Sequence, residues 1–260
     1  MTPVQVRALA IVPARLGSQR LPRKMLLDRT GRALVVHTLE NLAGARALER
    51  VVVATDAQEI VAVVERAGFQ ALLTSPDHQS GSDRVHEALS QLGGANWDVV
   101  VNVQGDEPEL ATEDLDQLVA CFADREVSAA TLCVPLRSEE HVHAPQVVKL
   151  VRDSRGDALY FSRAPIPYAA VDRSAAYARA DAPEWSSVVR RHLGVYAFRP
   201  TALARFVSLP RGALERLENL EQLRWLEAGE RMRVIDGRSS ALGIDTQADY
   251  DAFVERRRRS

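Results

Sequence analysis

Over residues 1–135 the sequence alternates short β-branched runs with amphipathic stretches, and few folds accept that alternation. Ala8 to Pro13, Val51 to Thr55, Ala71 to Thr74 and Val99 to Val103 read as strands. Leu34 to Gly44, Ile60 to Ala67 and Asp83 to Leu92 read as the helices between them. Strand and helix in turn are what βαβ units of a parallel sheet require. Val51-Val52-Val53 and Val99-Val100-Val101 lack polar residues at every second position, as strands covered on both faces do. The expected core is α/β: an open, doubly wound, mostly parallel sheet.

After Pro135 the pattern changes. Val147 to Val151 and Ala158 to Phe161 flank the turn cluster Asp153-Ser154-Arg155-Gly156-Asp157, which predicts a hairpin and hence an inserted antiparallel subdomain. Pro165 to Pro183 reads as a polar surface loop, Arg190 to Arg199 as another strand, Thr201 to Val207 and Leu214 to Glu227 as helices, and Gln247 to Arg256 as the last helix. There is no internal repeat and no long linker, so a single domain over residues 1–260 fits the length.

Charge narrows the function classes. Lys plus Arg number 33 against 35 Asp plus Glu, a formal net charge of -2. No overall basic field exists to hold nucleic acid or an anionic membrane, so an anion must be met by a local cluster. No apolar run approaches the roughly 20 residues of a membrane-spanning helix. Met1 to Ala10 carries one Arg and runs straight into Pro13 without a cleavage region, so it reads as a first strand, and the expected location is cytoplasmic. Cys121 and Cys133 cannot build a disulfide scaffold or a four-Cys zinc site, and both read as reduced core residues.

In open α/β sheets ligands sit beyond the carboxyl ends of the strands. The first such segment, Pro13 to Lys24, gathers Arg15, Arg20, Arg23 and Lys24 around Gly17, a set of cations and backbone amides suited to a polyphosphate. It matches neither G-x-G-x-x-G nor G-x-x-x-x-G-K-[ST], which argues against a nicotinamide oxidoreductase. The alternative is a solvated loop with chance arginines. Next, Val99 to Pro108 ends a buried strand in Gly105-Asp106-Glu107, and a lone acid opposite a basic loop suits a Mg²⁺ ion that also takes phosphate oxygens. A capping Gly-Asp turn is the alternative there. Gly243-Ile244-Asp245-Thr246 offers a second carboxylate or an ordinary helix N-cap. Thr74 to Arg84 is a polar loop whose Ser80 and Gly81 permit close backbone approach to a flat ligand, or a loop that simply ends in a helix cap.

In this order the segments Ile11 to Arg15, Arg20-Leu21-Pro22, Val53 to Asp56, Thr74 to Asp83, Val101 to Pro108, Tyr160 to Tyr168, Leu193 to Tyr196 and Leu220 to Arg224 resemble the 3-deoxy-manno-octulosonate (Kdo) cytidylyltransferase, or CMP-Kdo synthetase, family. The resemblance spans most of the chain. It implies a fold of the nucleotide-diphospho-sugar transferase type and attack of the anomeric 2-hydroxyl of Kdo on the α-phosphorus of CTP, giving CMP-Kdo and pyrophosphate for lipopolysaccharide or capsule assembly. It further implies Mg²⁺ held by Asp106 and Asp245, and a triphosphate held by Arg15 and Lys24 with Arg20 in support. Pro13 and Ala14 with Ser80, Gly81 and Arg84 would face the nucleotide. Gln104, Arg163, His192, Tyr196, Glu221 and Gln222 would face the sugar acid. On the same ground residues 1–135 are mainly the CTP half and residues 136–230 the acid-binding and dimerisation half, in a homodimer without nucleic acid or membrane.

Two departures bear on the acceptor. The family's Gly-Lys-Pro after Arg20-Leu21-Pro22 is here Arg23-Lys24-Met25, and its Asn-Val-Val-Lys is Gln146 to Lys149. Related enzymes charge an 8-amino Kdo or a phosphonate, so another acidic acceptor remains an alternative, as does a non-catalytic nucleotide-binding relative. Taken alone, His192 is also a strand-end histidine and Tyr196 a core aromatic. His141-Val142-His143 lacks a nearby third ligand and reads as a surface turn, His86-Glu87 lacks the second His of a zincin, and Arg256 to Arg259 reads as a frayed, solvated helix end.

Overall fold

The computed structural model describes residues 6–18, 20–136, 139–168, 188–238 and 243–259. Its first half realises the expected alternation: β1 (Ala8–Ala14), α1 (Leu34–Leu42), β2 (Leu48–Thr55), α2 (Gln58–Arg66), β3 (Gln70–Leu73), α3 (Gly81–Gln91), β4 (Val99–Val103), α4 (Thr112–Ala120) and β5 (Ala129–Pro135). Then come α5 (Glu139–His143), the hairpin β6 (Lys149–Arg152) and β7 (Ala158–Ser162), β8 (Arg190–Phe198), α6 (Pro200–Ser208), α7 (Ala213–Glu218), α8 (Leu223–Glu227), β9 (Arg233–Asp236) and α9 (Gln247–Arg259). Most of the expected loop from Pro165 to Pro183 lies outside the described residues.

The strands join in the order β3-β2-β1-β4-β8-β5-β9. Neighbours are parallel except at β8, which runs antiparallel between β4 and β5. The hairpin forms at the predicted turn, and β6 pairs antiparallel with the start of β8, so the antiparallel insertion is hydrogen-bonded into the same sheet. All five residues of β4 are buried, as the absence of polar alternation in Val99 to Val103 requires. Alternate residues of β1 feed two cores. Ala8, Ala10 and Val12 pack with α1, α2 and α4, while Leu9 and Ile11 pack with α3, α6 and α8 on the other face. Burial of apolar side chains on both faces at about 25 cal/mol per Å² is the main stabilising term of such a sandwich.

Three expectations need correction. Leu214 to Glu227 is not one helix: Asn219 adopts a left-handed conformation with φ 52°, which ends α7 and lets Leu220 to Gln222 turn inward before α8 begins. Asn tolerates that region better than most residues, and it is a common helix terminator. Arg256 to Arg259 are exposed, as a solvated end would be, but they continue α9 and the first two are anchored instead of frayed. Arg256 grips Glu109 at 2.6 Å, and the Arg257 guanidinium donates to the Pro108 carbonyl and covers the Phe253 ring, because α9 packs through Tyr250, Phe253 and Val254 onto Leu21, Leu34 and Ile244. His141-Val142-His143 lies in the one-turn α5 with Val142 fully buried, not in a surface turn. Cys133 is buried as expected and Cys121 is half-buried; both are free thiols. No helix among the described residues is long and apolar enough to cross a membrane.

Candidate active site

The carboxyl ends of β1 and β4 open onto a cleft with two lobes. The first, of about 500 Å³, is walled by Pro13, Ala14 and Arg15 after β1, Ser80, Gly81 and Arg84 at the start of α3, and Arg163 and Glu221. The second, of about 700 Å³, is walled by Arg20, Asp106, Glu107, Arg191, His192 and Asp245. Gln104, Gly194, Tyr196, Leu220 and Gln222 border both. Of the cations and proposed ligands singled out in the sequence, all line this cleft except Lys24, which lies against Asp106 and Asp245 of the second lobe, and Arg23, which points away to Glu59. Arg20 falls with the second lobe and Arg163 and Glu221 with the first, a partition the sequence did not give.

The basic loop is shaped by its backbone. Arg23, where the resembled family carries glycine, adopts φ 55°, and the chain then enters a 3-10 turn over Lys24–Leu26. A left-handed residue with a Cβ is disfavoured; burial of Leu21 and Met25 on either side holds it in place, while the Arg23 side chain reaches the exposed Glu59. Lys24 is thereby carried inward to 7% exposure. Its ammonium donates to Asp106 Oδ2 at 2.5 Å and Asp245 Oδ1 at 3.1 Å, and Arg20 reaches Asp245 at 3.0 Å. Two carboxylates 139 residues apart in sequence thus converge on one cation. Thr246, not Asp245, caps α9: its hydroxyl accepts from the Asp249 amide at 3.2 Å while the Asp249 carboxylate accepts from the Thr246 amide at 2.8 Å. That leaves the Asp245 carboxylate facing the cleft. Beside it Glu107 is pushed up to about 8 by burial and by the Asp106 charge.

In the first lobe the α3 N-terminus is locked by a capping box between Ser80 and Asp83. A Cβ on Gly81 would meet Pro13 Cγ at 3.3 Å and Gln104 Nε2 at 3.5 Å, so the glycine allows the α3 loop to press against the β1 loop. Arg84 is buried and engaged by Asp56 at 2.7 Å and Thr74 Oγ1 at 2.6 Å, which fixes its guanidinium in the wall. Arg163 donates to the carbonyls of Glu218, Pro145 and Asn219.

A hydrogen-bond chain runs from the wall the lobes share to the first lobe. Gln104 Nε2 donates to Asn102 Oδ1 at 3.3 Å, Asn102 Nδ2 to Ser82 Oγ at 3.3 Å, and Ser82 Oγ to Glu221 Oε1 at 2.9 Å. Tyr196 donates to Gln222 Oε1 at 2.9 Å. The other ends of both side chains, Glu221 Oε2 and Gln222 Nε2, are buried without a partner. Unsatisfied buried polar atoms are costly, and a pair of them in a cleft wall suits a polar ligand. Burial pushes Glu221 up from its ordinary value.

His192 faces the second lobe with its ring against Phe161 and Tyr196. The Thr131 hydroxyl donates to the Val195 carbonyl at 2.7 Å, so it accepts from His192 Nε2 at 2.9 Å. Burial lowers His192 to about 3, which keeps the ring neutral with Nδ1 as an acceptor.

Sequence reading missed Ser82, Asn102 as a connector, and Arg191. It also missed Arg211, Glu215 and Arg224 on the wall of the first lobe, of which Glu215 and Arg224 are buried and meet through two bonds of 2.7 Å. The cation spacing within Arg211 to Arg224 was the available signal.

A cytidylyltransferase family profile matches residues 9–232. The chain is 43% identical over 250 residues to a 3-deoxy-manno-octulosonate cytidylyltransferase of Chlorobaculum tepidum, covering 95% of each chain. It is 46% identical over 245 residues to the protein of the same name from an Anaeromyxobacter species, covering 94% of each. Among solved structures, CMP:2-keto-3-deoxy-manno-octonic acid synthetase complexed with CTP superposes with a TM-score of 0.86 at 34% identity, over 97% of this chain and 99% of the other. A 4-diphosphocytidyl-2C-methyl-D-erythritol synthase from Anaerococcus prevotii, 13% identical with a TM-score of 0.62 over 98% and 97% of the two chains, shares the fold.

Proposed function

We propose that this chain, which belongs to the cytidylyltransferase family, transfers the cytidylyl group of CTP to the anomeric 2-hydroxyl of Kdo. The acceptor oxygen forms a bond to the α-phosphorus, and the bond from that phosphorus to the bridging oxygen breaks. Pyrophosphate leaves with the electron pair, and the hydroxyl proton is lost to solvent. The observation that carries the reading is end-to-end similarity, 43% over 95% of the chain, to relatives named for this reaction.

The two lobes suit the two substrates. In the first, Pro13, Ala14, Ser80 and Gly81 would receive the cytidine. Arg15 and Lys24, with Arg20, would meet the triphosphate and the charge that grows on the leaving pyrophosphate. Arg84 would act from the wall, held by Asp56 and Thr74. Gln104, Tyr196 and Gln222, which border both lobes, would orient the sugar acid where the reacting oxygen must approach the α-phosphorus. Glu221 and Arg163 would reach it from the nucleotide side. His192 Nδ1, kept unprotonated, would accept from a sugar hydroxyl.

Asp106 and Asp245 fit Mg²⁺: both carboxylates already converge on a single cation, the donor chemistry a hard divalent ion takes. Bound there, the ion supplies positive charge to phosphate oxygens. Residues 1–135 would serve mainly the nucleotide and residues 136–230 the acid and a homodimer contact, in the cytoplasm. Pyrophosphate release with Mg²⁺, CTP and Kdo, beside 8-amino-Kdo, sialic acid and a small phosphonate and with ATP, UTP and GTP as nucleotide controls, tests the reading. Release with CTP and Kdo alone is expected; release only with another acid would move the acceptor, and silence with every pair would overturn catalysis.

A further inference from the structure

The ammonium of Lys24 lies where Asp106 and Asp245 converge, with its side chain 9% exposed. Arg20 closes on the same Asp245 oxygen at 3.0 Å. Two carboxylates are balanced by two cations. A Mg²⁺ ion on these carboxylates needs oxygens at about 2.1 Å, and an ammonium already within hydrogen-bond distance of both occupies the same space. Adding a divalent ion without moving Lys24 would also leave excess positive charge in a half-buried pocket, where charge is weakly screened.

Lys24 has somewhere to go. It sits on the same loop as Arg15, which faces the first lobe, and a triphosphate offers several negative charges to a flexible point charge. We propose that Lys24 is a resident placeholder for the metal ion. In the nucleotide-free protein it neutralises Asp106 and Asp245 and opposes metal binding; nucleotide phosphates draw the ammonium off and release both carboxylates to the ion. Nucleotide and metal binding are then coupled, and linkage requires that each raise the affinity for the other by the same factor. The inference rests on the cytidylyl-transfer reading, and it adds an order that reading does not contain: the carboxylates are closed to the metal until the nucleotide arrives.

The test is Mn²⁺ binding to nucleotide-free protein, read from the electron paramagnetic resonance signal of the free ion. Wild type is compared with Lys24→Met, Lys24→Gln and Lys24→Met/Asp106→Asn, and circular dichroism confirms folding. Lys24→Met is expected to bind Mn²⁺ at least tenfold more tightly than wild type, and the added Asp106→Asn to abolish the gain. Lys24→Gln, which fills the space without charge, is expected to fall between and stands in if Lys24→Met does not fold. Equal or weaker binding by the Lys24 variants would overturn the placeholder, as would a gain that survives Asp106→Asn. Pyrophosphate release by the wild type with CTP is measured alongside. Turnover with unchanged Mn²⁺ affinity in the Lys24 variants removes the placeholder alone, whereas absence of turnover with any nucleotide removes the reading beneath it.

Discussion

Tyr196 on β8 and Gln222 at the start of α8 are joined by one hydrogen bond, Tyr196 Oη to Gln222 Oε1 at 2.9 Å, and both border the two lobes of the cleft. The bond ties the central sheet to the chain reversal that Asn219 creates. Tyr196→Phe would keep the ring packing on His192 and Phe198 and leave Gln222 buried with both ends unpaired. The expected cost is about 1 kcal/mol of stability, read by urea denaturation, with a rise in KM for the acceptor larger than that for CTP.

Asp106→Asn should lower turnover at least a hundredfold, the scale on which preorganised electrostatic groups act, while the protein stays folded. Asp106 lies at the cleft and its loss leaves Lys24 paired with Asp245. Pyrophosphate release and near-ultraviolet circular dichroism measure the two halves of this expectation, and an active Asp106→Asn enzyme would sink the metal assignment.

Glu215 is 2% exposed and bridges Arg224 and Arg211. Glu215→Gln leaves the buried Arg224 guanidinium without its countercharge, a change that typically costs about 3 to 5 kcal/mol. Chemical denaturation should show it. Arg224→Met, which removes the stranded charge and keeps contact with Phe206, should restore part of the loss when added to Glu215→Gln.

How much of this was legible in the sequence depended on the range of the interaction. The loops after β1 and β4 were found because an α/β pattern dictates where ligands sit, and the β6–β7 turn because Asp153 to Asp157 announces itself locally. The break at Asn219 was hidden, since apolar residues keep helical spacing on either side of it and only one residue that tolerates left-handed geometry interrupts them. The Lys24–Asp245 pair spans 221 residues, and no local pattern encodes which charges meet across that distance. Ser82 was likewise invisible as a link to Glu221, because a serine in the first turn of a helix reads only as part of the cap region.

His192 gives a pH prediction. Its folded value of about 3 lies below the ordinary 6.5, so in that window the unfolded chain takes a proton that the native ring refuses. The stability contribution is complete above about pH 6.5 and falls as pH drops towards 3. His192→Gln, which keeps a donor for Thr131, should lose about 2 kcal/mol less than wild type between pH 7 and pH 5. Urea melts at the two pH values decide it; parallel losses would show that the ring is not held neutral.

A Cβ on Gly105 would lie 2.7 Å from Met25 Sδ and 3.4 Å from Val12 Cγ1. Gly105→Ala should therefore push the turn that carries Lys24. We expect a destabilisation of about 1 to 3 kcal/mol, the usual range for overpacking, together with a higher KM for CTP. Unaltered nucleotide kinetics would show that Met25 yields without moving Lys24.

The antiparallel β8 also sets an order of events in building the molecule. β4 and β5 are separated by fewer than thirty residues in sequence, yet neither completes its pairing until residues 190–198 arrive and slide between them. The edges of β4 and β5 that face each other across β8 therefore stay unpaired in any chain that lacks residues 190–198. Such unpaired edges invite wrong partners. The same late strand brings His192 and Tyr196, and Glu221, Gln222 and Asp245 follow it in sequence, so the cleft is completed only after the sheet has gained its antiparallel strand.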